Sequence, residues 1–310
     1  STFVQAYVVL SDIENLRGNN TERTKLLQKA LNFDERNVQA LTLLAGIYLF
    51  DINEAAKGLT YLQKLQEIDP TDWVSNSDFG VGFAQLKDYP EAIRWFRQSL
   101  KLNPDQVDAW SNLGYAFERL AHYDSALECY NIANKKDPMN TLIYENLTSL
   151  LLATAKYSTA ESLLLRGTKY LPSNHELIYD LGVTYELMGK PSNAKQTLVE
   201  GLRLLESKIQ KNKTFSSHHA DFGLFQARLR QPVKAIEAGS EAFRLDSTNN
   251  EVVMKIARMY AVLGKRDKVL EWYRRAKAMN PEYDAAYLTT ALDFEKYRKD
   301  PDLLLLAREK

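Results

Sequence analysis

The stretch that decides the fold runs from Val107 to Asn140 and reads VDAWSNLGYAFERLAHYDSALECYNIANKKDPMN. Its first half carries apolar and small residues three and four positions apart, at Trp110, Leu113, Gly114 and Phe117. That spacing places them on one face of an α-helix. A second stripe follows a polar break, at Ala126, Tyr130 and Ala133, and Pro138 ends it. The pattern therefore predicts two amphipathic helices in antiparallel contact.

The small residues indicate where the two helices cross. Gly114 and Ala126 let the backbones approach closely, while Trp110, Phe117 and Tyr130 fill the space around them. This combination of Trp, Leu-Gly, Ala and Pro at fixed offsets resembles the tetratricopeptide repeat, or TPR. The resemblance implies a helix–turn–helix unit that stacks on copies of itself.

Further copies recur in steps of 34 residues on both sides of this unit, so that the resemblance covers nearly the whole chain. We expect units at 4–37, 39–72, 73–106, 107–140, 141–174, 175–208, 216–249 and 250–283, an insert at 209–215, and a partial capping unit at 284–310. The resemblance implies an all-α fold, an α-solenoid of stacked antiparallel helix pairs in a right-handed superhelix. Residues 1–310 would then form a single elongated repeat domain.

The insert and the two ends depart from the repeat. The helical pattern continues past Glu206 into the insert, where we expect two further helical turns. They are either a solvated helix end, or a docking spur or hinge between the two halves. The run 303–306 is four leucines, more apolar surface than one neighbour can bury, which leaves open a longer chain or self-association through the terminal repeats. Because the chain starts with Ser1 and not Met, an upstream leader, anchor or further domain is also left open.

Composition excludes several classes of protein. The 40 basic side chains balance 40 acidic ones, which argues against general nucleic-acid binding because that needs a basic surface. No apolar run approaches the roughly 18 residues of a membrane span, and Phe3–Leu10 lacks the basic flank of a signal peptide. The single cysteine, Cys129, allows no internal disulfide. A cytoplasmic and a periplasmic location both fit these features.

A line of short polar residues marks the predicted binding groove. In TPR arrays the first helix of each pair lines the concave wall, and positions 2, 6, 9 and 13 of a unit form its inner stripe. The sixth position of five consecutive units holds Asp78, Asn112, Asn146, Asp180 and Asp221. Such side chains can bond to the main chain of an extended peptide whatever its sequence. The alternative, that this position is simply solvent-exposed, stays open.

Charge and aromatic residues extend the predicted groove. In the eighth unit the inner stripe carries positive charge, at Lys255 and Arg258, in place of the acidic and amide residues before it. This change of charge would fix the direction of a bound peptide. Tyr115 and Arg119 could supply contacts in mid-groove, or pack on an adjacent repeat. The chaperone-binding members of the family hold a terminal carboxylate with a lysine at the fifth position. No fifth position here is a lysine, so we do not expect a carboxylate clamp of that type.

Nothing in the sequence favours catalysis. None of the four histidines has carboxylates or thiols at metal-ligand spacing, and there is no phosphate-binding loop or nucleophile motif. We therefore expect no cofactor and no metal. The first hypothesis is a non-catalytic scaffold or adaptor whose concave groove binds an extended segment of a partner protein. The alternative is the targeting arm of a larger enzyme or membrane-anchored assembly whose other part lies outside this chain.

Overall fold

The computed structural model describes residues 2–309, so Ser1 and Lys310, the ends of the predicted repeat domain, lie outside the described residues. Eighteen α-helices and no β-strand form within that range, which confirms the predicted all-α class of stacked helix pairs. The helices are α1 (Thr2–Leu16), α2 (Asn20–Phe33), α3 (Val38–Gly46), α4 (Ala55–Ile68), α5 (Trp73–Gln85), α6 (Tyr89–Leu102), α7 (Val107–Arg119), α8 (Tyr123–Lys136), α9 (Thr141–Ala153), α10 (Tyr157–Tyr170), α11 (His175–Leu187), α12 (Pro191–Lys211), α13 (Ser216–Arg228), α14 (Pro232–Leu245), α15 (Asn250–Val262), α16 (Arg266–Met279), α17 (Ala285–Thr290) and α18 (Pro301–Arg308).

The helices form two compact units, the first ending at Asp137 and the second beginning at Pro138. In the first unit α1–α2, α3–α4, α5–α6 and α7–α8 pack as pairs, and each pair contacts the next. In the second unit α9–α10, α11–α12, α13–α14 and α15–α16 do the same. The domain boundaries inferred from the repeat pattern stay a prediction, and each unit is described by itself below.

Local sequence sets the helix ends. Asp72 accepts hydrogen bonds from the backbone N–H groups of Val74 and Ser75 at the start of α5. Asn174 caps α11 and Asn249 caps α15 in the same way. Pro occupies the first turn of α6, α12, α14 and α18, where a missing N–H leaves no bond unmade. These side-chain caps fix where α5, α11 and α15 begin.

The small residues at the helix crossings have the role inferred from sequence. A Cβ at Gly114 would lie 2.9 Å from the ring of Tyr130, and one at Gly80 would lie 2.5 Å from the ring of Phe96. Both aromatic residues are completely buried. A side chain at either glycine would therefore displace a core ring.

Two elements differ from the regular pair. After Gly46 the backbone of α3 widens into a π-helical turn, Ile47–Asp51, and Arg23 forms a 2.8 Å ion pair with Asp51. Helix α12 has 21 residues where α10 and α14 have 14, so it continues into the insert and ends at Lys211.

Among the described residues, every helix is too short or too polar to span a lipid bilayer.

The last predicted unit forms a broken pair. Its first helix is interrupted at Ala291 (ψ 102°), so that α17 is followed by a 3₁₀ helix, Leu292–Tyr297, and then by α18. We call residues 285–297 the C-terminal segment. It packs on α9 and α15 of the second unit. In α18, Leu303 and Leu306 are buried, Leu304 is partly buried and Leu305 is exposed, so half of the leucine run packs in the core.

Candidate functional site

In the first unit the predicted groove residues lie on the first helices of two neighbouring pairs. Asp78 lies on α5, and Asn112, Tyr115 and Arg119 lie on α7, which contacts α5. All four side chains are partly exposed. Burial, and then the Asp72 carboxylate, raise the pKa of Asp78 to about 6. The Asp78 carboxyl is therefore protonated at a higher pH than that of an ordinary aspartate.

Arg119 is the centre of an aromatic cluster in the first unit. Its guanidinium lies 5.4 Å from the ring of Tyr89 and 5.7 Å from the ring of Tyr115. The two rings meet edge to face at 6.3 Å. Tyr89 belongs to α6 of the preceding pair, so the cluster ties two pairs together. Tyr115 and Arg119 therefore pack across adjacent repeats, and both still reach the surface.

In the second unit the first helices α9, α11, α13 and α15 line a cavity of about 360 Å³, and the C-terminal segment forms a further part of its wall. We call the surface of these four helices that faces the cavity the inner face. The predicted residues on it are Asn146, Asp180, Asp221, Lys255 and Arg258. All five line the cavity together, each from the position in its repeat that the sequence assigned to the inner stripe.

Asp221 and Lys255 form the centre of a buried polar network. Asp221 accepts a 2.9 Å hydrogen bond from the His175 ring and pairs with Lys255 at 2.8 Å. Burial alone would raise the pKa of Asp221, but Lys255 and His175 lower it to about 2. The Lys255 ammonium also pairs with Glu176 at 3.1 Å and with Glu251 at 2.6 Å. Asp221 and Lys255 are each about 95% buried, so a ligand in the cavity would meet them as a neutralised ion pair.

The same network contains the geometry closest to a metal site. Ligand atoms of His175, Glu176 and Asp221 lie within 4.8 Å of one another. The Lys255 ammonium bonds to two of these three residues and occupies the position of a cation. The negative charge of the cluster is thus neutralised by the chain itself.

The C-terminal segment is anchored to the inner face by Asp293. Its carboxylate accepts hydrogen bonds from the Tyr179 hydroxyl at 2.9 Å, from Arg258 at 2.7 Å and from Arg228. Burial alone would raise the pKa of Asp293, but the two guanidinium groups lower it to about 2. The Ser149 hydroxyl donates a 3.4 Å hydrogen bond to the Thr290 carbonyl on the same segment. The inner face therefore holds a non-repeat stretch of polypeptide through both side-chain and main-chain contacts.

Two further carboxyls on the inner face, those of Glu145 and Asp180, have raised pKa values. Burial, and then the carboxylates of Glu176 and Asp180, raise the pKa of Glu145 to about 8. Burial raises the pKa of Asp180 to about 7, although Arg258 acts in the opposite direction. Within residues 2–309 neither carboxyl forms a salt bridge. The site thus combines ion-paired carboxylates at one end with two carboxyls that are largely protonated near neutral pH at the other.

Sequence reasoning found part of this site. It selected Asn146, Asp180 and Asp221 from the sixth position, but it did not assign roles to His175, Glu176, Tyr179, Arg228 or Asp293. Glu176 and Arg228 occupy positions 2 and 13, which belong to the predicted inner stripe, so the repeat pattern could have found them. Asp293 carries no such signal, because its partners Arg258, Arg228 and Tyr179 lie 35, 65 and 114 residues away along the chain.

Family comparisons agree with the repeat pattern. Residues 82–120 match a family model described as TPR repeat, and residues 107–135 match one described as Tetratricopeptide repeat. The second match falls within the stretch from which the repeat was inferred. No curated protein sequence matches the chain.

Several solved structures are similar in fold. The structure of YrrB, a TPR protein with an unusual peptide-binding site, matches at 20% identity and TM-score 0.48 over 57% of this chain and 91% of its own. The APC/C hetero-tetramer Cut9-Hcn1 matches at 19% identity and TM-score 0.49 over 98% of this chain and 55% of its own. PilF of Pseudomonas aeruginosa matches at 22% identity and TM-score 0.43 over 69% of this chain and 93% of its own.

Proposed function

We propose that this chain binds an extended segment of a partner protein along the first helices of its helix pairs. It belongs to the tetratricopeptide repeat family and is in general terms a protein-interaction scaffold. The observation that carries the proposal is the C-terminal segment. It lies on the inner face of the second unit and is held by Asp293 and by a main-chain contact at Thr290. A face that holds one irregular segment has the groups needed to hold another.

The chemistry of that internal contact supports a preference for the partner. Arg228, Arg258 and Tyr179 surround one carboxylate, and the neighbouring Phe294 is completely buried. A partner segment with an acidic residue beside an aromatic one would offer the same groups. Asn146 and Asp180 border the same cavity and supply hydrogen-bonding groups for its main chain. The proposal is of a non-catalytic scaffold, since these interactions bind and orient without a reacting centre.

Selection of phage-displayed peptides on the full chain tests the proposal. We expect enrichment of related peptides, and we expect Asn112→Ala, Asn146→Ala and Asp180→Ala to weaken their binding in calorimetry while circular dichroism and melting stay unchanged. Asn193→Ala, on an exposed part of α12, is the matched control. Failure to enrich any peptide, or equal binding by all four variants, would remove the peptide-groove proposal.

A further inference from the structure

The cavity on the inner face has a volume and walls that suit a small ligand. At about 360 Å³ it falls within the range of small-molecule sites. We propose that it is a receptor for an organic cation, a primary ammonium or guanidinium group on an alkyl chain. The cation could come from a free amine or from a lysine or arginine side chain. The proposal does not depend on the peptide groove, because a free amine would fill the cavity as well.

The first argument is the balance of charge on the walls. Six carboxyls line the cavity, namely Glu145, Glu176, Asp180, Asp221, Glu251 and Asp293. Only two permanent cations, Lys255 and Arg258, line it with them. Lys255 pairs with Glu176, Asp221 and Glu251, and Arg258 bonds to Asp293. Glu145 and Asp180 form no salt bridge among the described residues, so these are the two wall carboxyls that a further cation could pair with.

The second argument is an unused hydroxyl. Thr148 is completely buried, lines the cavity, and its Oγ1 has no hydrogen-bond partner among the described residues. A buried hydroxyl without a partner carries a free-energy cost, and it offers two acceptor lone pairs. An ammonium group has three donors and needs acceptors of this kind. The hydroxyl lies on α9, the helix that also carries Glu145.

The third argument is the aromatic wall. Tyr179, Tyr283 and Tyr287 line the cavity. Tyrosine rings attract cations through their faces and pack against alkyl chains. A metal ion fits the same walls less well, because the residues close enough to share one are His175, Glu176 and Asp221, which Lys255 already neutralises. The leftover carboxyls, the hydroxyl and the rings together match an organic cation.

The protonation of the two carboxyls gives the proposal a measurable signature. Glu145 faces Glu176, Asp180 and Lys255, and its pKa is about 8. Asp180 faces Arg228, Arg258, Glu176 and Asp293, and its pKa is about 7. Near neutral pH these carboxyls therefore hold protons. A bound cation would favour their ionised forms, so binding should release between about one and two protons near pH 7.

Isothermal titration calorimetry on the full chain tests this with butylamine, butylguanidine and the blocked peptide acetyl-Ala-Lys-Ala-amide. Butanol is the uncharged control. Repeating each titration in buffers of different ionisation enthalpy counts the protons released. We expect the cations to bind with proton release, and their affinity to rise about tenfold or more for each pH unit around pH 7. Binding of the free amines alone would identify a small-molecule source, and binding of the peptide alone would identify a partner side chain.

Substitutions locate the site. We expect Asp180→Asn and Glu145→Gln each to weaken cation binding at least about tenfold. Each should also remove the proton release that comes from the substituted carboxyl. Asp267→Asn, on the exposed start of α16, should change neither. The proposal is overturned if no cation binds the wild-type chain, if butanol binds as tightly as butylamine, or if cations bind without proton release. Because these outcomes need only the wild-type chain, they hold even where a variant folds poorly.

Discussion

Replacing Asp293 by asparagine should release the C-terminal segment from the inner face. The substitution keeps the shape of the side chain and removes its charge. In the structure that charge lies between the guanidinium groups of Arg228 and Arg258, with the Tyr179 hydroxyl as a third donor. The carboxylate is only 2% exposed, so water cannot replace it. Two partly buried guanidinium groups, those of Arg228 and Arg258, would be left facing a neutral amide.

The size of the effect follows from these contacts. Removing one partner of a buried ion pair costs about 3–5 kcal/mol. The lower end applies here, because Arg228 keeps a second carboxylate, Glu186, at 2.8 Å and the amide oxygen can still accept a hydrogen bond. About 3 kcal/mol corresponds to an increase of roughly a hundredfold in the local opening of the segment. Because the pKa of Asp293 is about 2, this stabilisation is present above the pKa of an ordinary aspartate and is lost as the pH falls towards about 2.

Amide hydrogen exchange followed by mass spectrometry measures that opening directly. We expect exchange in residues 285–297 to accelerate about a hundredfold in Asp293→Asn, while α13 and α15 change far less. Asp302→Asn is the matched control, because Asp302 pairs with Arg266 at a surface position where its side chain is 63% exposed. Such a pair is worth less than about 1 kcal/mol. Unchanged exchange in the segment, or equal acceleration by both variants, would refute the reasoning.

Three further predictions concern the helix crossings and the titrating groups. Gly80→Ala should destabilise the first unit by about 2 kcal/mol in denaturant unfolding, since its Cβ meets Phe96, whereas Gly46→Ala, with open space around it, should be neutral or slightly stabilising. Asp180→Asn should stabilise the fold by about 1–3 kcal/mol at about pH 8 and much less at about pH 5. Because the pKa of Asp180 is raised in the folded protein, the wild-type fold becomes less stable as the pH rises between these values, whereas asparagine does not titrate. Cys129 is buried and its pKa is raised to about 11, so iodoacetamide should label it only after unfolding.

The regular helix pairs were predictable because their information is local. Trp110, Leu113 and Phe117 repeat with the period of a helix, and the structure places α7 and α8 where that period starts and stops. Gly114 predicted a close crossing, and the ring of Tyr130 indeed leaves no room for a side chain there. In both cases the deciding contacts lie within one repeat, so a single sequence contains the whole pattern.

The C-terminal segment could not be predicted in this way. Tyr287, Ala291 and Phe294 keep the helical spacing, so the pattern favours one continuous helix, but the backbone breaks at Ala291. The break lets Asp293 reach Arg228 and Arg258, which belong to different repeats. Periodicity reports which face of a helix is apolar, and it does not report charge pairs formed across several repeats. For the same reason the pairing of Asp221 with Lys255 was not visible in the sequence.

Arg258 connects the segment to the cavity, because it lowers the pKa of both Asp180 and Asp293. With the segment docked, the hydrogen bond of Arg258 goes to Asp293, and Asp180 keeps a raised pKa. If the segment left the inner face, Arg258 could pair with Asp180. The affinity of Asp180 for an added cation would then fall. Docking and cation binding should therefore favour each other, and this coupling must be reciprocal. Butylamine should slow hydrogen exchange in residues 285–297, and Asp293→Asn should weaken butylamine binding. An amine that binds and leaves this exchange unchanged would show that the two events are independent.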